Sequence, residues 1–144
     1  MARFGILAAR FNGTVVARLV EGAESFFDKR GLERDLVWVP GAFELPLAAK
    51  TLARTGRYDA IVCLGAVIRG ETSHFQYVAE QAARGVMQAG LETGIPVLFG
   101  VLTTDTLKQA SDRAGGRHGN KGWDTASAAV EAVEALRGIR DESG

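Results

Sequence analysis

Four short runs of continuously apolar residues, at 4–9, 36–39, 60–67 and 96–102, alternate with longer stretches of helical periodicity. Alternation of this kind is the mark of crossover units that build a parallel sheet. The runs do not alternate apolar with polar, as expected of strands covered on both faces, so helices must flank both sides. The fold class expected is α/β. At 144 residues, one domain spanning 1–144 is the default.

The first helical stretch returns Val15, Val16, Leu19, Val20, Ala23, Phe26 and Phe27 every three or four positions and stops at Gly31. A second helix is expected from near Phe43 to about Gly56, with Leu47, Ala48 and Leu52 inward. The third, over 73–91, would use Val78, Ala82, Val86 and Met87. A short helix follows Thr104 and Asp105, whose side chains can cap it. The last begins after Gly122, with Ala126, Ala129, Val130, Val133 and Leu136 on one stripe and a frayed tail from Arg140.

Seventeen basic residues balance 17 acidic ones, so the surface is not built to neutralise a nucleic-acid backbone or an anionic membrane. Arg10 interrupts the apolar start too early for a secretory core or a membrane span. Cys63, the single cysteine, has no disulfide partner and reads as a small buried hydrophobe. No Cys/His cluster has zinc-site spacing, so no metal site is expected. These features point to a cytoplasmic protein.

In an open parallel sheet the ligand crevice lies at the carboxyl ends of the strands. The loops expected there are Arg10-Phe11-Asn12-Gly13, Pro40-Gly41-Ala42-Phe43-Glu44-Leu45-Pro46 and Ile68-Arg69-Gly70-Glu71-Thr72-Ser73-His74, followed by a glycine-rich turn between Arg113 and Gly122. Gly70 allows close backbone approach, and free amides at the next helix start attract an anion. Thr72 is either part of that anion site or an ordinary N-cap. His74 is either a proton carrier beside the anion or a solvated first-turn residue. Phe11 is a stacking platform for a planar ligand or a plug over the core. Glu44 is a first-turn carboxylate favoured by the helix dipole or an acceptor for ligand hydroxyls. Phe43 and Phe99 read as core or subunit-contact residues, and Arg113 and Lys121 are ambiguous alone, charged helix-end residues being usually solvated.

Five strings in order along the chain resemble the lumazine synthase family. They are Arg10-Phe11-Asn12; the Pro40 to Pro46 string given above; Gly65-Ala66-Val67-Ile68-Arg69-Gly70-Glu71-Thr72 with His74; Phe99-Gly100-Val101-Leu102-Thr103-Thr104; and Arg113-Ala114-Gly115 with Gly119-Asn120-Lys121-Gly122. The resemblance implies a flavodoxin-like three-layer sandwich around a four-stranded parallel sheet of order 2-1-3-4. It implies a transferase that condenses 5-amino-6-(ribitylamino)uracil with 3,4-dihydroxy-2-butanone 4-phosphate, a sugar phosphate, giving 6,7-dimethyl-8-ribityllumazine, phosphate and water in riboflavin biosynthesis. No metal or organic cofactor is implied. By the same resemblance Phe11 stacks on the pyrimidine, Ala42, Phe43, Val67 and Ile68 meet its polar edges, and Glu44 accepts ribityl hydroxyls. Gly70, Glu71 and Thr72 surround the phosphate, and Arg113 supplies its countercharge. His74 moves protons, while Phe99, from a neighbouring subunit, and Lys121 complete the pocket. Implied partners are other copies of the chain, as a homopentamer or a larger shell of pentamers, and a functional link to riboflavin synthase.

Overall fold

The computed structural model describes residues 2–71 and 74–143. Strands β1 (Arg3–Ala9), β2 (Glu33–Val39), β3 (Ala60–Ile68) and β4 (Val97–Thr104) form one sheet in the order β2-β1-β3-β4, and every neighbouring pair is parallel. Helices α1 (Gly13–Arg30) and α5 (Lys121–Ser143) cover one face, and α2 (Leu45–Ala53) and α3 (His74–Thr93) cover the other. This is the flavodoxin-like α/β sandwich that the resemblance implied.

The apolar runs divide between the two faces residue by residue. Phe4, Ile6 and Ala8 of β1 pack with Leu19 and Phe27 of α1 and Ala129 of α5. Leu7 and Ala9 point the other way, toward Leu45 and Ala49 of α2 and Val86 of α3. Each such Leu or Phe stabilises the fold by roughly 1.5–3 kcal/mol when fully buried. Cys63 lies at the centre of β3, fully buried, and loss of solvation pushes its thiol up to about 12.

Local chemistry sets the ends of the elements. Gly31 closes α1 in the left-handed conformation (φ 65°), its amide bonded to Asp28 and Phe27 carbonyls. At the start of α5 a Cβ on Gly122 would overlap the Leu19 carbonyl, so the crossing of α1 and α5 requires glycine there.

Several expectations need correction. β2 begins at Glu33, ahead of the apolar run at 36–39, because its polar start pairs with Arg3, Phe4 and Gly5 and carries the Arg3–Asp35 ion pair. A 3-10 turn, Ala42–Glu44, precedes α2, and Pro46 lies at its N1/N2 position. The fully buried residues of α2 are Leu45, Ala49 and Ala53; Ala48 and Leu52 pack half-buried against the same core as expected, whereas Leu47 is exposed. On α3, Met87 faces outward and Ala89 inward. The short helix α4 (Leu107–Asp112) is capped by Thr106 in a reciprocal box with Gln109, whereas Thr104 is buried and donates to the Thr106 carbonyl. The tail beyond Arg140 remains helical to Ser143. The glycine-rich turn is a small antiparallel ribbon, β5 (Ala114–Gly116) with β6 (Gly119–Asn120). Among the described residues, no helix is long and apolar enough to cross a membrane.

Candidate active site

In the order β2-β1-β3-β4 the connection leaving β1 runs through α1 to one side and that leaving β3 runs through α3 to the other, so the two diverge and open a crevice at the carboxyl edge of the sheet between β1 and β3. A cavity of about 390 Å³ occupies it, of a size suited to a small organic ligand. Phe11 and Asn12 enter from the loop after β1, and Gly41 through Glu44 from the turn after β2. Ala66, Val67, Ile68 and Gly70 come from the end of β3. His74, Phe75 and Val78 enter from the first turns of α3.

The two loops nearest β1 are tied together by backbone. Arg10 N donates to the Val39 carbonyl at 2.8 Å and Phe11 N to the Pro40 carbonyl at 3.2 Å. Phe11 is 75% exposed and lines the cavity, so within this chain it is not a plug over the core. Phe43, 55% exposed, lines the same cavity. Glu44 occupies the N-cap position of α2 without making a side-chain cap hydrogen bond, and its exposed carboxylate faces a cavity whose other walls are largely apolar. A Cβ on Gly70 would meet no atom within 4 Å. The glycine therefore leaves open space beside the cavity, where a ligand can approach backbone. His74 is the first residue of α3 and is exposed at the cavity edge.

A second cleft of about 350 Å³ lies beyond Phe75, whose ring borders both spaces. Thr103, Thr104, Gln109, Arg113 and Lys121 help to line it. The Arg113 Nη1 donates to the Gln109 carbonyl at 3.0 Å. Arg69 arches over Phe75, its guanidinium carbon 5.7 Å from the ring centroid, and pairs with Asp105 at 3.6 Å. That ion pair is exposed and contributes at most about 1 kcal/mol.

The structure thus brings Phe11, Ala42, Phe43, Glu44, Val67, Ile68, Gly70 and His74 to one cavity, and within a single chain puts Arg113 and Lys121 on a different cleft. Phe99 is half-buried on β4 and packs against the core between the sheet and the α2/α3 layer. Glu71 is exposed and outside the lining of either space. Thr72 lies outside the described residues. Sequence reasoning passed over Asn12, Gly41, Ala66, Phe75 and Val78 as wall residues. Phe75 was findable, because an aromatic ring directly after His74 shares its end of the helix. Asn12 gave a weaker signal, being next to an exposed ring at a strand end.

An open parallel sheet with an aromatic, carboxylate-bearing crevice at its switch point defines a small-molecule-binding protein of the flavodoxin-like α/β class. Residues 1–137 match the family model for 6,7-dimethyl-8-ribityllumazine synthase. The chain is also 52% identical over 140 residues to the 6,7-dimethyl-8-ribityllumazine synthase of Syntrophus aciditrophicus (strain SB), a match covering 95% of this chain and 91% of the relative. The chain belongs to the 6,7-dimethyl-8-ribityllumazine synthase family, a family of transferases.

Proposed function

We propose that the protein condenses 5-amino-6-(ribitylamino)uracil with 3,4-dihydroxy-2-butanone 4-phosphate to give 6,7-dimethyl-8-ribityllumazine, inorganic phosphate and water, the penultimate step of riboflavin biosynthesis. The observation that carries this reading is the meeting, in one crevice, of the exposed Phe11 ring, the Glu44 carboxylate, the open space at Gly70 and His74. The pyrimidine stacks on Phe11 with its polar edges toward the backbone of Ala42, Phe43, Val67 and Ile68, and its ribityl hydroxyls reach Glu44. The phosphate lies near Gly70, Glu71 and Thr72.

The 5-amino group attacks the ketone carbonyl, and water leaves as the imine forms. Phosphate is then eliminated, and the ribityl-bearing nitrogen closes the ring with loss of a second water. His74 carries protons between these steps. The sequence transfers protons without net oxidation, so it needs no redox cofactor. Holding amine against ketone accounts for up to roughly 7–11 kcal/mol of the barrier reduction. Acid–base help from His74 adds about 10²–10⁴-fold.

The proposed unit of function is one domain, 1–144, assembled as a cytoplasmic homopentamer, alone or as the building block of a larger shell, and passing its product to riboflavin synthase. Two observations support assembly. Leu47, Tyr77, Met87 and Leu91, on α2 and α3, are each at least 60% exposed, apolar surface that association would bury. Arg113 and Lys121 are separated from the cavity within one chain, so a neighbour can supply them together with Phe99.

Purified protein mixed with both substrates should develop lumazine fluorescence, with none when either substrate is omitted. A protein that takes up added lumazine yet forms none would be a binding module, and the enzymatic reading would fall.

A further inference from the structure

Among the described residues, Asn12 is the one non-glycine with positive φ (58°). Asparagine tolerates the left-handed region better than most residues. It occupies the N-cap position of α1, where an asparagine side chain ordinarily accepts from the helix's free amides, yet it makes no side-chain cap bond. The helix opens on its backbone instead, with Val15 N and Val16 N donating to the Asn12 carbonyl at 3.1 and 3.2 Å. Asn12 Nδ2 crosses to β3 and donates to the Ala66 carbonyl at 2.8 Å.

That contact lies just past the last paired residues of β1 and β3, Ala8 and Leu64. A side-chain amide therefore continues the link between strands after the backbone ladder has ended. The residue before it, Phe11, and those after its acceptor, Val67 and Ile68, all line the cavity. Departure from local preference in both backbone and capping, at the wall of a cavity, is where function rather than folding sets the residue.

We propose that Asn12 is a positioning residue that fixes the distance between the Phe11 ring and the Val67–Ile68 backbone, and so governs affinity for the heteroaromatic substrate rather than for the phosphorylated ketone. This rests on the reading that the pyrimidine lies between those two walls. With the tether intact, a flat ring stacks on Phe11 and meets the β3 backbone at once. Without it, the Phe11 loop and the β3 edge move independently and a ring satisfies only one of them.

Two variants test this. Asn12→Gly retains access to the left-handed backbone and removes the tether. Asn12→Asp keeps the shape but sets an acceptor against the Ala66 carbonyl. With each substrate varied in turn, both variants should raise KM for 5-amino-6-(ribitylamino)uracil about tenfold or more, Asn12→Asp the more strongly, while KM for the ketone phosphate stays within about twofold. A purely structural role would lower the thermal transition and leave the ratio of the two KM values unchanged. That result, or a wild-type KM ratio in a folded variant, overturns the proposal. Titrating the pyrimidine alone into wild type and variants, followed by calorimetry, separates the two readings. If wild type binds the pyrimidine but forms no lumazine, the enzymatic reading fails, and weaker binding by the variants still upholds the role of Asn12. Equal binding by wild type and both variants refutes it.

Discussion

The backbone amide of Lys121 donates to the carbonyl of Arg113 at 2.8 Å across the mouth of the β5–β6 ribbon. The two cations at the ends of the glycine-rich turn are thereby brought side by side in the backbone, and both line one cleft. A phosphate monoester carries a charge of about −1.5 to −2 near neutral pH, and a guanidinium grips it in a fork that an ammonium does not reproduce.

Arg113→Ala should lower kcat/KM for the ketone phosphate at least tenfold, as loss of a charge-assisted hydrogen bond of about 1.5–3 kcal/mol requires. Arg113→Lys should recover only part of it. Steady-state kinetics with the ketone phosphate varied decides this, and wild-type constants in Arg113→Ala would remove the residue from the phosphate site.

His74→Ala should reduce kcat by about 10²-fold or more and leave the dissociation constant of the pyrimidine within about twofold, because the imidazole is assigned to protons and not to holding the ring. Calorimetry of pyrimidine binding beside single-turnover rates separates these effects. Affinity and turnover falling in proportion would make His74 a binding residue.

Phe11 and Arg113 line different spaces in one chain, which makes them the informative pair for a site shared between subunits. Phe11→Ala and Arg113→Ala subunits, mixed under conditions of demonstrated exchange, should recover activity above either parent. Exchange without recovery, from two strongly impaired parents, means that each site is built within a single chain.

Two glycines of α5 should respond to alanine with opposite signs. Gly122 abuts the Leu19 backbone, and Gly122→Ala should destabilise by about 1–3 kcal/mol as the helices are forced apart. Gly138 has no atom within 4 Å of a built Cβ, and Gly138→Ala should stabilise by about 1 kcal/mol through helix propensity. Urea midpoints of the two variants measure both.

Acid sensitivity is expected at the opposite end of the sheet. The Tyr58 hydroxyl donates to Asp35 Oδ2 at 2.6 Å, and Arg3 Nη2 reaches both carboxylate oxygens at 3.0 and 3.2 Å. The Tyr58 bond first, then the Arg3 bond, holds the Asp35 carboxyl below its ordinary value of 3.8. A depressed folded-state value means that the stabilisation is fully present above the unfolded value and disappears as pH falls through the folded one. Asp35→Asn should therefore show a flatter dependence of Tm on pH below about pH 4. Parallel Tm curves for wild type and variant would locate the acid response elsewhere.

The four strands were readable because burial on both faces leaves no polar position inside an apolar run, as 60–67 shows. The start of β2 was not, because Glu33 and Asp35 find their partner in Arg3, thirty residues away. Along α2 the inward Ala48 and Leu52 were readable, but the 3-10 turn before Leu45 sets where the helix begins, so Leu47 faces outward and Leu45, Ala49 and Ala53 take the deepest positions. At the site, Phe11, Glu44 and His74 were visible as unusual residues at strand ends. The distance between the cavity and Arg113 was not visible, since it depends on the packing of α3 against β4 and on the side Phe75 takes. Asn12 was hidden for the opposite reason: asparagine at a helix start has an ordinary explanation, and only its actual partner on β3 displaces it.

Cys63, at the middle of the central layer, has a consequence for experiments in solution. With its sulfur shielded and its thiolate disfavoured, an alkylating reagent meets it only when β3 comes free. The rate of alkylation is therefore a clock for opening of the whole sheet, indifferent to movements of the loops at its rim. Because the chain has one cysteine, a single mass increment records each molecule that has opened, and the protein carries its own unfolding reporter without an engineered label.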